Sequence, residues 1–336
     1  SDIKMQEQSG PDLYYQIKSV DPTARIVAGS IVQPTPLRLQ YLDMILDNYR
    51  ARFGEEMPVD VWNIHAFILN EASCKYFPDD CWGADIPPGI DAREGLRIGV
   101  DDTDNIEIFK QFIVGFRQWM VDRGYQDRPL IITEYGELMP EDYGFPPARV
   151  NAYMNATFDY LSTAAGPTGF PSDEGRLVQA WAWYSLVDST FNGRLFDAET
   201  GRRTVYGDNF AAYTSAVVPG VNLAPVKVWA EPVAAAGPNQ AVKLTAQVAN
   251  SGNVAVTGAA RVRFYDGNPR QGGSPIGADH YLPALGGCGS TSLVTVNWSG
   301  VPAATSTVWV VVDPLNEIAE TDESDNQLTV TVTGKP

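Results

Sequence analysis

The sequence predicts a multidomain protein, an α/β domain over residues 1–218 followed by an all-β domain over residues 219–336. Three observations carry that expectation. Up to about residue 218, apolar β-branched runs alternate with amphipathic stretches of helical period, the pattern of a parallel sheet flanked by helices. From Pro219 onward, short β-branched segments alternate with Gly, Pro, Asn and Ser turns, and no helical period survives. The segment SAVVPGVNLAPV, residues 215–226, joins the two as a connector. At 336 residues, 44% of them hydrophobic, the chain is long enough for two cores.

The elements of the first domain follow in order. Residues 13–19 predict a helix, and ARIVAGSIV (24–32) a first strand. Residues 37–52 predict a helix, and VDVWNIHAF (59–67) a second strand. In residues 105–123, Phe109, Phe112, Ile113, Phe116 and Met120 recur at helical spacing. PLIITEYGE (129–137) is an unbroken apolar strand closed by a carboxylate, residues 147–164 predict a further helix, and LVQAWAWYSL (177–186) a fourth strand. Strict alternation of strand and helix implies a parallel sheet, doubly wound or closed as a barrel. No GxGxxG or Walker-type loop follows any strand, which removes the main support for nucleotide binding.

Polar residues choose between the two. Gln33, Asn63, His65, Glu134, Trp183 and Tyr184 collect at the C-terminal ends of the strands, where barrel enzymes place their chemistry. Period-two reading puts Asn63, His65 and Phe67 on one face of their strand, and Trp181 and Trp183 on one face of theirs. Burying the Glu134 carboxylate beside an apolar strand costs several kcal/mol unless it is paired or sits at an open strand end. Each residue also has an ordinary account: a lone strand histidine packs in a core, tryptophans pack, and a terminal Glu faces solvent.

The formal net charge of −17 argues against nucleic acid or an anionic membrane as partner. Residues 222–336 carry six Lys and Arg against nine Asp and Glu, so −14 of the −17 belongs to the first domain and the connector. No window approaches the ~20 apolar residues of a membrane-spanning helix. Cys74 and Cys81 bracket the loop CKYFPDDC, which a disulfide closes if the compartment is oxidising. CxxC spacing is absent, which argues against zinc, and no cofactor is implied.

At WNIHAF (62–67), ITEYGE (132–137) and AWAWYS (180–185), residues 12–217 resemble the C-terminal half of a clan A retaining glycoside hydrolase, a (β/α)8 TIM barrel. The three motifs are similar to that clan's strands six, seven and eight, and ARIVAGS would be its fifth. The resemblance implies Glu134 as the nucleophile. It implies Asn63, His65, Tyr135, Trp181 and Trp183 as substrate-binding residues, with Trp183 under a sugar ring. The substrate would be a polysaccharide or glycoside.

The sequence departs from the clan at one decisive place. The acid/base Glu of such enzymes lies in an Asn-Glu-Pro type sequence ending strand four, and no Asn-Glu-Pro occurs in these 336 residues. Retention needs two carboxyl groups about 5 Å apart. Glu71 and Glu137 are the nearest other carboxylates in sequence, and neither occupies the clan's position. The start SDIKMQEQ has no strand before the first helix. The expectation is therefore a partial barrel, strands five to eight, inactive alone, with an apolar sheet face and two strand edges exposed. A missing N-terminal half, or further copies of this chain, would cover them. The alternative is a noncatalytic surface, adhesion or self-assembling scaffold protein.

In the second domain, VKLTAQVANSGNVAVTGAARVRFYDG, STSLVTVNWSG and VWVVVDPLNEIAETDESDNQLTVTV are similar to the CARDB-type Ig-like β-sandwich module of bacterial cell-surface and secreted proteins. Alternation in Val242, Leu244, Ala246, Val248 and in Val308, Val310, Val312 gives each strand one core face. The resemblance implies an extracellular or cell-surface accessory domain without chemistry of its own. The acidic turn at 313–326 is either a solvated loop or a calcium site, and it lacks EF-hand spacing.

Overall fold

The computed structural model describes residues 13–21, 24–232, 241–299, 301–302 and 305–333. The chain divides into two compact units: residues 1–170 with 176–217, and residues 218–336 with Pro171–Gly175. The departure of Pro171–Gly175 from the first unit was not foreseen. Its Glu174 carboxylate accepts hydrogen bonds from the Ser251 hydroxyl and the Asn222 amide of the second unit.

In the first unit a helix over residues 13–20 (α1) precedes the sheet, and its Tyr14 hydroxyl and Lys18 ammonium reach the Asp60 carboxylate at 3.0 and 2.8 Å. Four strand–helix pairs follow. They are β1 (Val27–Ile31) with α2 (Pro36–Phe53), β2 (Val61–His65) with α3 (Ile106–Asp122), and β3 (Leu130–Tyr135) with α4 (Pro147–Thr163). After a short strand β4 (Ala165–Phe170) comes β5 (Ala180–Trp183) with α5 (Val205–Ser215). Strands β1, β2, β3 and β5 make one parallel sheet in that order.

Local chemistry sets the helix ends. Pro36 opens α2 with its fixed φ, and Gly54 closes it in the left-handed region at φ 74°. Asn105 caps α3 by accepting from Glu107 N at 3.0 Å. Two elements escaped the sequence reading. In β4, AGPTGF carries the Gly and Pro of a turn, and the strand bridges only to Arg176 without joining the sheet. In α5, Gly207 and Asn209 hide the period, yet Thr204 caps it and Phe210 and Tyr213 pack on Phe158 at 5.5 and 5.1 Å between ring centroids.

One sheet face is apolar and covered. Trp62, Ile64, Leu130, Ile132 and Trp183 join Leu42 and Ile45 of α2, Phe109, Ile113 and Phe116 of α3 and Met154 and Phe158 of α4 in one cluster. The opposite face is mixed: Val27, Ala180 and Ala182 are exposed on it, in line with the apolar surface expected there, beside exposed Ser30 and Thr133.

Cys74 and Cys81 form a disulfide, with Cα atoms 4.9 Å apart. Among the described residues no helix is long and apolar enough to cross a membrane.

Among the described residues the strands of the second unit pair only antiparallel. Its three-stranded sheet is β11 (Ser290–Ser299), β7 (Ala241–Asn250), β6 (Leu223–Pro232). Its five-stranded sheet runs β10 (His280–Tyr281), β8 (Arg261–Asp266), β12 (Thr305–Val312), β13 (Gln327–Thr333), with β9 (Ser274–Pro275) on β8. The alternation read from sequence selects the core: Leu244, Ala246, Val248, Val308, Val310 and Val312 are buried, and Val242 partly so. The acidic turn spends its carboxylates on backbone. Asp313 accepts from Glu317 N and Ile318 N at 3.0 and 2.8 Å, and Glu320 accepts from Leu223 N and Asn326 Nδ2. No group of three His, Cys, Asp or Glu among the described residues is arranged to hold a metal ion.

Candidate active site

The site is built on two bulges held by one amide. Along β2 and β1, Gly29 pairs with Asn63 but Ile31 with Ile64, so Ser30 is an extra residue on β1. Along β2 and β3, Ile64 pairs with Ile132 but His65 with Glu134, so Thr133 is an extra residue on β3. A regular register would set His65 against Thr133 and turn Glu134 to the other face. The bulge instead brings Glu134 alongside His65.

Asn63, buried between the flanking strands, satisfies what the bulges leave over. Its Oδ1 accepts from Thr133 N at 3.2 Å, a backbone donor displaced from the ladder. Its Nδ2 donates to Ser30 Oγ at 2.7 Å and lies 2.9 Å from Thr133 Oγ1. Ser30 sits at φ 65°, a conformation few L-residues hold without such a contact. Beside it, Gly29 at φ 109° has no room for a side chain, since a Cβ would stand 2.2 Å from Asn63 O.

His65 Nδ1 lies 3.5 Å from Glu134 Oε2, with the Glu134 side chain 42% exposed. Burial lowers the His65 pKa below its usual range, and the nearby Glu134 charge only partly offsets this. The imidazole is therefore neutral near pH 7. From His65 an aromatic series continues through Phe67 (6.3 Å) and Tyr184 (5.7 Å) to Phe191 (6.4 Å between centroids).

Glu134, His65 and Asn63 thus meet as the sequence led one to expect. Tyr135, Trp181 and Trp183 do not line that mouth. Tyr135 is fully buried, and its hydroxyl lies 3.3 Å from Thr157 Oγ1 of α4. Trp181 and Trp183 share a face, but it is the helix-covered one: both pack on Phe158, and the Trp183 indole N–H donates to Gly193 O at 2.9 Å. The residue after Trp183, Tyr184, is the aromatic half-exposed by the site. Period two along β5 contained that signal, since Trp183 shares its face with a Trp181 that belongs to the core.

Neither spare carboxylate stands open to the mouth. Glu71 is buried against Arg38 Nε at 2.9 Å and Thr35 Oγ1 at 3.1 Å. Glu137 is buried in an apolar gap between Phe67–Leu69 and Gly136–Met139. Its Oε1 accepts from Met139 N (2.7 Å) and Thr103 Oγ1 (3.2 Å), whereas its Oε2 has no partner among the described residues. Burial pushes its pKa up to about 7. Gln33, read as a strand-end polar group, is also buried, exchanging hydrogen bonds with the Leu69 backbone.

The CARDB family profile matches residues 223–330. That stretch of the second unit is a CARDB domain. It is similar to the CARDB domain of a Pyrococcus furiosus protein solved in complex with di-metal ions: 21% identity over 35% of this chain and 96% of that one, TM-score 0.28. The chain is also similar to a glucosidase from Croceicoccus marinus, at 12% identity over 88% of this chain and 61% of that one, TM-score 0.41. A third likeness is to an endo-beta-1,3-glucanase from Sorangium cellulosum, at 16% identity over 52% of this chain and 47% of that one, TM-score 0.28. None of the three is close enough to assign a residue a role. No curated protein matches the sequence.

Proposed function

We propose that the first unit carries part of a retaining glycoside-hydrolase site, with Glu134 as nucleophile, and that the CARDB domain is its extracellular or cell-surface accessory. The observation that supports this most is the pairing of Glu134 with a neutral His65 at the C-terminal ends of adjacent parallel strands. The carboxylate attacks the anomeric carbon of a glycoside, a Glu134–carbon bond forms, and the bond to the leaving oxygen breaks with its electron pair. A neutral His65 leaves the carboxylate's charge available. Asn63 orients the nucleophile by holding the Thr133 bulge. The leaving oxygen needs a proton, and Glu71 and Glu137 are each buried away from solvent. The donor, and the strands completing a barrel, come from a partner: a separate N-terminal half or a second copy of this chain. The disulfide accords with an oxidising compartment.

A leaving group that needs no proton tests Glu134 by itself. With a panel of 2,4-dinitrophenyl glycosides, the protein should release dinitrophenolate in a burst of about one equivalent. Glu134→Gln should abolish it, and unactivated alkyl glycosides should be inert. Equal release by both proteins would overturn the assignment. A noncatalytic scaffold is the competing reading, favoured by the two outer strands of the sheet, β1 and β5, which have no further strand beside them among the described residues. It predicts no burst together with concentration-dependent association.

A further inference from the structure

The segment that leaves β5 is organised around one half-buried carboxylate that the reading above does not use. Asp188 Oδ1 accepts from the backbone N–H groups of Thr190 and Phe191 at 2.6 and 2.8 Å, and its Oδ2 accepts from the Tyr184 hydroxyl at 2.9 Å. One side chain therefore folds the turn and fixes a ring four residues back. The next residue, Asn192, secures the far side of the turn. Its Nδ2 donates to Met139 O and Phe145 O at 2.8 and 3.1 Å, and its Oδ1 accepts from Tyr206 of α5 at 2.6 Å.

Around these two anchors the loop carries more apolar surface than a solvated turn needs. Phe191 is 40% exposed, and Leu186 and Val187 are more so. The Phe191 and Tyr184 rings meet at 63° between planes, and Tyr184 meets Phe67, which meets His65. Tyr184 also lies within electrostatic reach of Glu134. The series thus runs from His65 through buried Phe67 and half-exposed Tyr184 to exposed Phe191.

We infer that Asp188 is a positioning residue that presets Tyr184 and Phe191 as an aromatic wall, and that this wall takes the apolar C–H face of a pyranose ring in a bound glycan. This deepens the glycoside reading and rests on it. Aromatic side chains held rigid before binding give up little conformational freedom on meeting a ligand, which is what the anchoring of the loop contributes. A sugar ring suits the wall because its C–H face meets the rings while its hydroxyls remain free for polar groups near His65 and Glu134.

The full chain is first screened on an array of neutral and acidic oligosaccharides four to six sugars long, and the tightest binder is titrated against variants. Asp188→Ala should weaken binding about tenfold, and Phe191→Ala comparably. Asp188→Asn should stay within about threefold of wild type, because its amide oxygen still accepts both N–H groups and its NH2 reaches the Tyr184 oxygen. Amide hydrogen exchange at Thr190 and Phe191 should be slow in wild type and Asp188→Asn and fast in Asp188→Ala. Glu134→Gln should lose the dinitrophenolate burst, and adding Phe191→Ala to it should still weaken glycan binding about tenfold, which separates the nucleophile from the wall. Unchanged affinity in Phe191→Ala, or in an Asp188→Ala whose amides have become fast, overturns the inference and leaves the nucleophile assignment standing. Absence of binding to every glycan on the array overturns it as well.

Discussion

The two faces of the four-stranded sheet obey different rules. The helix-covered face is filled by Trp62, Ile64, Leu130, Ile132 and Trp183, all buried in one cluster with α2, α3 and α4. The other carries Ser30, Asn63, Thr133, Ala180 and Ala182, with hydrogen bonds in place of packing. The first face is a jigsaw that resists any change of volume. The second tolerates extra residues, and its bulges are what set Glu134 beside His65. Stability and candidate chemistry are thus divided by the pleat of the same strands.

The largest effect belongs to the packed face. Trp62 is fully buried, with Trp119, Tyr125 and Phe116 rings at 4.9, 5.2 and 6.2 Å. Trp62→Ala should cost about 3 to 5 kcal/mol, visible as a fall in the denaturant midpoint. Ala182→Ser, two strands away on the exposed face, should stay within about 0.5 kcal/mol. Comparable losses for the two would show that the exposed face is packed after all, and the contrast would fail.

What the sequence made legible follows the same division. Wherever burial is periodic the pattern could be read, as in the α3 positions Phe109, Phe112, Ile113, Phe116 and Met120, or Val308, Val310 and Val312 in the CARDB domain. The order of strands around Glu134 was readable because each strand is a short apolar run. The choice among aromatic residues at the mouth was not. Trp183 and Tyr184 are neighbours in sequence, and only the register of β5 decides which of them faces the helices. The bulges at Ser30 and Thr133 leave no composition signal, since they depend on an amide from a different strand. Asp188 was missed because two of its three partners are backbone N–H groups, which are the same in every sequence.

A middle-sized effect lies just beyond the mouth, in Glu137. Its folded pKa of about 7 stands above an ordinary 4.5 because burial opposes its charge. The neutral form is the one the fold accepts, so its contribution is fully present below pH 4.5 and is lost as pH rises through about 7. On the order of 3 kcal/mol should disappear over that interval. Glu137→Gln, which stays uncharged, should match wild type near pH 5 and exceed it above pH 8 in denaturant midpoint. A wild-type stability flat between pH 5 and 8.5 would show that Glu137 ionises freely and that the gap beneath the mouth is wet.

The smallest effect sharpens the contrast most, because it asks whether the polar face holds its shape by hydrogen bonds alone. Asn63→Ala removes the acceptor of Thr133 N and the donor to Ser30 Oγ. A displaced backbone N–H without a partner costs about 1 to 2 kcal/mol, well below the loss expected for Trp62→Ala. The bulge then has less reason to persist. If β3 relaxes to a regular register, Glu134 turns from His65 toward the helices and Thr133 takes its place. Slow amide exchange at Thr133 should therefore be lost in Asn63→Ala, and the dinitrophenolate burst should fall at least tenfold even though Asn63 need not touch the sugar. Asn63→Asp, which keeps the acceptor for Thr133 N, should recover much of the burst. A full burst in Asn63→Ala with a fast-exchanging Thr133 amide would mean that the bulge persists without the Asn63 side chain, and that the register, not the amide, sets the site.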